Sequence, residues 1–244
     1  MKQTFLAIES ATDIGSVAVY EEQKLLGSIE IRKAKSHARL LTPMIQQLLK
    51  DLQLAPADLS AIAVGKGPGS YTGLRVGVST AKGLCMALDK PLLSFGSLEA
   101  LAWQSKSLAS ELEAWICPMI DARRMEVYAA FYDAEIQAQT EIKAEILEEG
   151  VFDSFFEERR IIFLGNGAPK SRAVLGSHPN AIILDDVSSS ATAVGELLWQ
   201  KWQDEAFEDL ISFEPFYLKD FVATKSKKWV VRKKRSAKPQ TSEK

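Results

Sequence analysis

Residues 65–75 read Gly65-Lys66-Gly67-Pro68-Gly69-Ser70-Tyr71-Thr72-Gly73-Leu74-Arg75, and no other stretch of this 244-residue chain restricts its fold as much. The apolar run Ala61-Ile62-Ala63-Val64 leads into it, and a helical pattern to about Leu88 follows. Gly67, Gly69 and Gly73 with Pro68 make a strand-to-helix connection that uses backbone conformations closed to most residues. Ser70 has the chemistry to cap the helix by accepting from a first-turn amide. Along that helix Gly73, Gly77, Thr80, Ala81 and Leu84 fall within roughly 100° of one another, a stripe of small side chains. Interior glycine costs a helix about 1 kcal/mol, so two on one face imply close packing by another helix.

The rest of the chain reads as an alternation of strands and helices. Thr4 to Glu9, Ser16 to Tyr20 and Leu25 to Ile31 are short apolar runs at hairpin spacing, which predicts an antiparallel start. Ser36 is placed to cap a helix from His37 to about Leu54. Its apolar positions Leu40, Leu41, Met44, Ile45, Leu48, Leu49 and Leu52 cover about half the circumference, wider than the stripe of about 100° or a little more that one core contact needs. The excess predicts two packed faces, one of them for another chain. Pro91 to Phe95 is a further strand, with Ser97 placed to cap the next helix.

From about Leu108 the pattern restarts. Trp115 to Asp121 resembles the opening strand and ends in an acid as that strand ends in Glu9. Glu126 to Tyr132, a segment near 136–146, Ile161 to Leu164 and Ala181 to Leu184 read as strands, and Ser190 can cap a helix through Leu197, Leu198 and Trp202. Two halves of the same plan predict a duplicated α/β chain whose domains, 1–105 and 106–224, meet at a cleft. A basic tail, 225–244, follows.

No run of about 18 apolar residues is present, so no membrane-spanning helix is expected. The N-terminus carries no secretory leader pattern, and Cys85 and Cys117 form no CxxC pair or disulfide framework; the expectation is a cytoplasmic protein. The net charge of −2 conceals an asymmetry. Nine Lys or Arg against Glu243 give residues 225–244 a net of +8, leaving 21 basic and 31 acidic residues, a net of −10, in the body. Lys225, Lys227, Lys228, Arg232, Lys233, Lys234 and Arg235 form either an RNA- or partner-contacting arm or a solvated tail.

Catalytic patterns fail one by one. The loop at Gly67–Gly73 opens a helix and can cradle an anion or serve as a structural turn. It is no Walker A loop, because Lys66 precedes it and Leu74-Arg75 follow Gly73. A duplicated two-domain plan is similar to the actin, sugar-kinase and Hsp70 superfamily, which binds ATP between its domains. Glu9, Ser10 and Thr12 can form one phosphate hairpin of such a cleft. In the second half Asp121 and Arg123 stand in Asp121-Ala122-Arg123-Arg124-Met125, where arginines replace the glycines that let amides reach a phosphate. His37 and His178 form no HxxxH pair, and no metal site is expected. Ser70 is not in GxSxG, and the two cysteines sit among apolar neighbours that disfavour thiolate.

Gly67-Pro68-Gly69-Ser70-Tyr71-Thr72-Gly73-Leu74-Arg75 resembles the GPGSFTGLR signature of the bacterial TsaB (YeaZ) family. Ser36 to Pro43, Asp121 to Tyr128, Gly165 to Ala168 and Pro215 to Lys219 resemble other landmarks of that family in order, from about residue 3 to 224. The resemblance implies two related actin-like (ribonuclease H-like) domains with mixed sheets flanked by helices. It implies a non-catalytic subunit that dimerises with a TsaD-type catalytic subunit. With a TsaE-type ATPase, that pair makes threonylcarbamoyladenosine beside the anticodon of tRNAs reading ANN codons. ATP and metal are then expected on partner subunits and tRNA through the complex, while for the isolated chain homodimer and monomer both stay open. The implied contact helices, 37–54 and 72–88, carry Leu40, Met44, Gly73, Val76, Gly77, Thr80 and Leu84. Many members carry Asp where Glu9 stands, and the paired metal-binding histidines of the catalytic relative are missing here. The competing expectation is an actin-like phosphotransferase or metallopeptidase acting alone.

Overall fold

β1 (Thr4–Glu9) is buried from Phe5 onward, as an unbroken apolar run at the centre of a covered sheet must be. It pairs antiparallel with β2 (Ile14–Glu21), which pairs with β3 (Lys24–Arg32). β4 (Ala61–Gly67) and β5 (Leu92–Gly96) extend the sheet in parallel on the other side, giving the order β3-β2-β1-β4-β5. The computed structural model describes residues 2–33, 37–156 and 159–219, so Ser36 and the basic tail 225–244 lie outside the described residues.

The second half repeats the plan. β6 (Trp115–Asp121), β7 (Glu126–Ala129), β8 (Lys143–Ile146), β9 (Ile161–Leu164) and β10 (Ala181–Ile183) form a sheet of order β10-β9-β6-β7-β8. Both sheets are mixed, with antiparallel hairpins on one side of the central strand and parallel strands on the other. The duplication read from the two acid-ended strands is therefore present in the topology. Strand lengths differ from expectation at two places: β7 stops at Ala129, and of the segment near 136–146 only Lys143–Ile146 forms a strand.

Helices α1 (His37–Asp51) and α2 (Tyr71–Leu88) cover one face of the first sheet, where Leu6, Ile8, Val17 and Val19 meet Leu41, Met44, Leu48 and Val78. In the second half a short 3-10 turn at Asp153–Phe155 stands between β8 and β9, where the first half places α1. α5 (Ala168–Leu175) parallels α2 there, over an aromatic cluster of Phe131, Phe152, Phe156 and Phe163.

The remaining faces are covered by an exchange. α3 (Ser97–Gln104) and α4 (Lys106–Leu112) leave the first sheet and pack Leu98, Leu101, Ala102 and Ala109 against Ile116, Ile120 and Ile162 of the second. α6 (Gly195–Gln203) returns from the second half and, with Val194 just before it, packs Leu197 and Leu198 against Phe5, Ala7, Tyr20 and Phe95 of the first. The Tyr20 hydroxyl donates to Ala191 O at 2.6 Å and accepts from Val194 N at 3.3 Å, which fixes this crossing. Ser97 is not the cap of α3. Gly96 holds that position, its amide donating to Glu99 Oε2 at 3.1 Å, and Ser97 is the first helical residue.

Candidate functional site

The glycine loop after β4 packs against the turn after β1, and this contact decides why its glycines are glycines. A Cβ on Gly69 would stand 2.3 Å from Ala11 O, and one on Gly73 2.1 Å from Ser10 O. Gly67 has φ +106°, a conformation that side chains disfavour. Ser70 N donates to Ala11 O at 2.6 Å, and the Ser70 hydroxyl accepts from Gly73 N at 3.3 Å, so Ser70 caps α2 as expected. Pro68 follows Gly67 through a cis peptide bond. The loop is a close backbone-to-backbone joint.

The two glycines of the small-residue stripe of α2 point into this joint, while Thr80 and Leu84 of the same stripe do not. A Cβ on Gly77 would come within 2.2 Å of Ser10 Oγ and 3.6 Å of Val64 Cγ2. Gly73 and Gly77 are thus buried against the chain's own β1–β2 turn, which corrects their assignment to a partner face. Met44 is corrected likewise, being buried in the first core. The broad apolar face of α1 has two internal neighbours, the sheet and α2, with Leu40 and Leu52 partly buried along its edges. Val76, Thr80 and Leu84 stay partly exposed on α2. Thr80 and Leu84 line an open groove of about 510 Å³ between α1 and α2, with Ile45, Leu49, Gly83 and Leu88. A Cβ on Gly83 would meet nothing within 4 Å, so the groove floor is open there.

A second cavity, also of about 510 Å³, lies between the halves. Ala11, Thr12, Asp13 and residues 69–72 form one wall, Asp121, Arg123, Tyr128 and Asn166 the other, and residues 216–219 cross its edge. Thr12 and Asp121, 109 positions apart, therefore line one cleft with Arg123. Glu9 and Ser10 do not line it. Glu9 is fully buried; Oε1 accepts from Ser10 N and Ala11 N at 2.7 Å each, and Oε2 from the Ser189 hydroxyl at 2.8 Å. Those two amides, the donors a phosphate hairpin would offer, are occupied by the chain's own carboxylate. Ser10 Oγ donates to Gly73 O at 2.9 Å.

On the opposite wall Asp121 Oδ1 accepts from Arg123 N at 2.6 Å and from Lys170 Nζ at 2.5 Å, while Asn166 Oδ1 accepts from Asp121 N at 3.0 Å. Arg123 and Arg124 turn the hairpin with φ of +74° and +51°, consecutive left-handed residues suited to a tight β-hairpin. His37 opens α1, buried, with Nε2 2.7 Å from Thr12 O. His178 stacks on Phe156 at 3.8 Å, on the far side of the second core. Among the described residues no three His, Cys, Asp or Glu side chains converge on a metal-sized point. Burial pushes the Cys85 thiol up to about 11 and the Cys117 thiol well above its ordinary value, which leaves both as inert core groups at neutral pH.

The strap across the cleft is the part that periodicity missed. Glu208 bonds the Ser94 hydroxyl, and Lys82 Nζ donates to Ile211 O at 3.1 Å and Phe213 O at 3.0 Å. Phe216 N donates to Lys66 O at 2.7 Å, Arg75 Nε donates to the Tyr217 hydroxyl at 3.3 Å, and Lys219 pairs with Glu126 of the second half. The rings of Tyr71 and Tyr217 lie 4.8 Å apart, with the Arg75 guanidinium 4.3 Å over Tyr71. Tyr71 and Arg75 of the glycine loop thus serve the strap, and Thr72 is exposed on the first turn of α2.

A family model described as TsaD, tRNA N6-adenosine threonylcarbamoyltransferase, matches residues 24–239. The curated tRNA threonylcarbamoyladenosine biosynthesis protein TsaB of Bacillus subtilis (strain 168) is 39% identical over 129 residues, 53% of this chain and 55% of that protein. A solved structure of YeaZ from Pseudomonas aeruginosa superimposes with a TM-score of 0.76 at 27% identity, over 88% of this chain and 100% of that one. The chain belongs to the TsaB (YeaZ) family. TsaB of Escherichia coli (strain K12) is 33% identical over 133 residues, 53% of this chain and 55% of that protein. The chain thus spans about half the length of the curated TsaB relatives it matches. The actin-like two-domain fold implied by the TsaB resemblance is the fold observed, with its duplicated mixed sheets flanked by helices. No helix among the described residues is long and apolar enough to cross a membrane.

Proposed function

We propose that the chain is a non-catalytic subunit that binds and orders a TsaD-type catalytic partner in the transfer of a threonylcarbamoyl group to the adenosine beside the anticodon. The observation that carries this reading is the open apolar groove between α1 and α2. It lies in the half of the duplicated fold that alone, among the described residues, has an α-helix between its third and fourth strands. Membership of the TsaB family supports the pathway. Occupation of the Ser10 and Ala11 amides by Glu9 supports a cleft that has given up phosphate binding. ATP, metal and the TsaE-type ATPase belong to the partner side of the assembly in this reading, and tRNA reaches the chain through the complex.

The test is light-scattering mass of the chain alone and mixed with the TsaD-type protein of the same organism. A 1:1 complex is expected, and Thr80→Arg, which places a long cation in the groove, weakens it at least tenfold while the melting curve of the free chain is kept. The isolated chain is expected to pair with itself through the same groove, so Thr80→Arg also shifts any homodimer to monomer. Two species that never merge overturn the reading and direct attention to the cleft, with ATP and metal titrations.

A further inference from the structure

We propose that in the isolated chain the strap of a second copy caps the α1–α2 groove, Ile211 of each protomer seating beside Gly83 of the other about a two-fold axis. The inference rests on the groove reading above and names what covers that groove before a catalytic partner arrives.

A knob and a hole stand side by side on one face of the molecule. Ile211 is 91% exposed and Met86 74%, the two most exposed large apolar side chains among the described residues. The turn that carries Ile211 is nevertheless fixed. Asp209 Oδ1 accepts from Ile211 N at 3.1 Å, Ser212 N at 2.7 Å and the Ser212 hydroxyl at 2.9 Å. Leu210 and Phe213, on either side of the turn, pack against the first core. An apolar side chain held out on an ordered turn has little freedom left to lose on docking. The hole adjoins it. Successive residues of a helix stand about 100° apart, so Met86 and Ser79 lie around α2 between Lys82, which holds the strap, and Gly83, which floors the groove.

Two features select a second copy as the occupant. A surface that carries both parts is self-complementary, since the two-fold that puts one Ile211 into the opposite groove does the same for the other. Met86, between knob and hole, then meets its own copy near the axis, where a flexible thioether fills irregular space. Charge agrees with this pairing. Lys50 is the one charged residue that lines the groove among the described residues, whereas exposed Asp209 and Glu214 bracket Ile211. Each knob therefore brings carboxylates to the ammonium of the opposite groove, a complement that selects the partner more than it tightens binding. Lys82, the cation of the strap turn, is already committed to the carbonyls of Ile211 and Phe213. Dimer and 1:1 complex then exclude each other, because both need the same groove.

The experiment is sedimentation velocity of the full chain over a wide range of concentration, where a concentration-dependent dimer is expected. Ile211→Ala trims the knob and Gly83→Leu fills the hole, and each weakens the dimer at least about tenfold while thermal melts show both variants folded. Mixed with one another, the two variants pair about tenfold more tightly than either does alone, because the knob kept by the Gly83→Leu chain finds the hole kept by the Ile211→Ala chain. Met86→Cys is expected to cross-link to its own copy with a short bis-maleimide, and the native Cys85 and Cys117, both buried, give no background. An original chain that stays monomeric overturns the proposal, as does normal pairing by either single variant, a mixture that gains nothing, or a Met86→Cys chain that does not cross-link. The 1:1 complex with the TsaD-type protein is scored separately by mass. If it forms while the isolated chain shows no dimer, only the self-capping falls; if the dimer forms and the complex does not, the partner reading falls and the self-capping stands.

Discussion

Ser189 donates its hydroxyl to Glu9 Oε2 across 180 positions of sequence, at 2.8 Å and out of reach of solvent. The other carboxylate oxygen caps the turn after β1, so one side chain ties that turn to the segment that leads into α6. Ser189 also lies 3.2 Å from Ser97 O, at the start of α3. The acid therefore sits where the two exchanged helices enter, and its role is structural.

Glu9→Ala is expected to cost about 3 kcal/mol, because it leaves the buried Ser10 and Ala11 amides without an acceptor. Glu9→Gln keeps one acceptor oxygen and costs about 1 kcal/mol. Urea unfolding of the three proteins checks the order. Equal midpoints would show that solvent reaches the turn and satisfies it.

Gly77→Leu is expected to unfold the chain and not to act selectively on partner binding, since even a Cβ at that position would stand 2.2 Å from Ser10 Oγ. Gly77→Ala alone should cost about 1–3 kcal/mol by overpacking. Gly83, six residues further along the same helix, behaves oppositely. Gly83→Ala meets no atom and should stabilise the monomer by up to about 1 kcal/mol through helix propensity. Gly83→Trp should leave the monomer folded and abolish the complex with the TsaD-type protein. Circular dichroism with light scattering reads both outcomes.

Stability should fall on the alkaline side. Burial pushes the Tyr20 hydroxyl up to about 12 from an ordinary 10, and the Cys85 thiol up to about 11 from 9. Both groups are held neutral by the fold. The stabilisation is therefore whole below pH 9 and is lost as pH rises through 9 to 12, with Tyr20 alone accounting for about 2–3 kcal/mol. Urea midpoints measured from pH 8 to 12 should decline across that window, and Tyr20→Phe should flatten the upper part. A flat profile to pH 12 would mean that Tyr20 titrates freely in the folded chain.

Lys82 supports the strap from α2 by two donations to carbonyls, at Ile211 and Phe213. Lys82→Met removes both and should raise hydrogen exchange of the amides at 209–219 by about tenfold, with the global unfolding midpoint moved little, because the strap adds little to the main cores. Unchanged exchange would place the hold of the strap in the Phe216–Lys66 backbone bond.

Much of this fold is legible in the chain because its strands are short, apolar and evenly bounded. Thr4–Glu9 and Trp115–Asp121 are each an apolar run closed by an acid, and they are the central strands of the two sheets. The Ser70 cap and the end of α2 near Leu88 follow from local chemistry alone. What local chemistry does not carry is the identity of the neighbour. Periodicity places Gly73 and Gly77 on one face of α2, but nothing in residues 71–88 says that this face meets Ser10 and not another chain. The same holds for α1, whose broad apolar surface serves the sheet and α2 at once. Glu9 reads as a cleft acid until Ser189 is known to sit on it. The strap has no period of its own, and Arg75 and Tyr217 are 142 positions apart; the aromatic pair in Pro215-Phe216-Tyr217 is its one local sign.

The exchange of α3 and α6 sets an order on synthesis. The strands of the first sheet are complete once Gly96 has left the ribosome, yet the face carrying Phe5, Ala7 and Tyr20 is covered only by residues up to Gln203. At about 5–20 residues per second, that apolar face waits roughly 5–20 s for its cover. During this interval the first half is a natural client for a chaperone. Expression of residues 1–105 alone would yield a sheet open on one side, whereas co-expression with the remainder supplies the missing helix in trans.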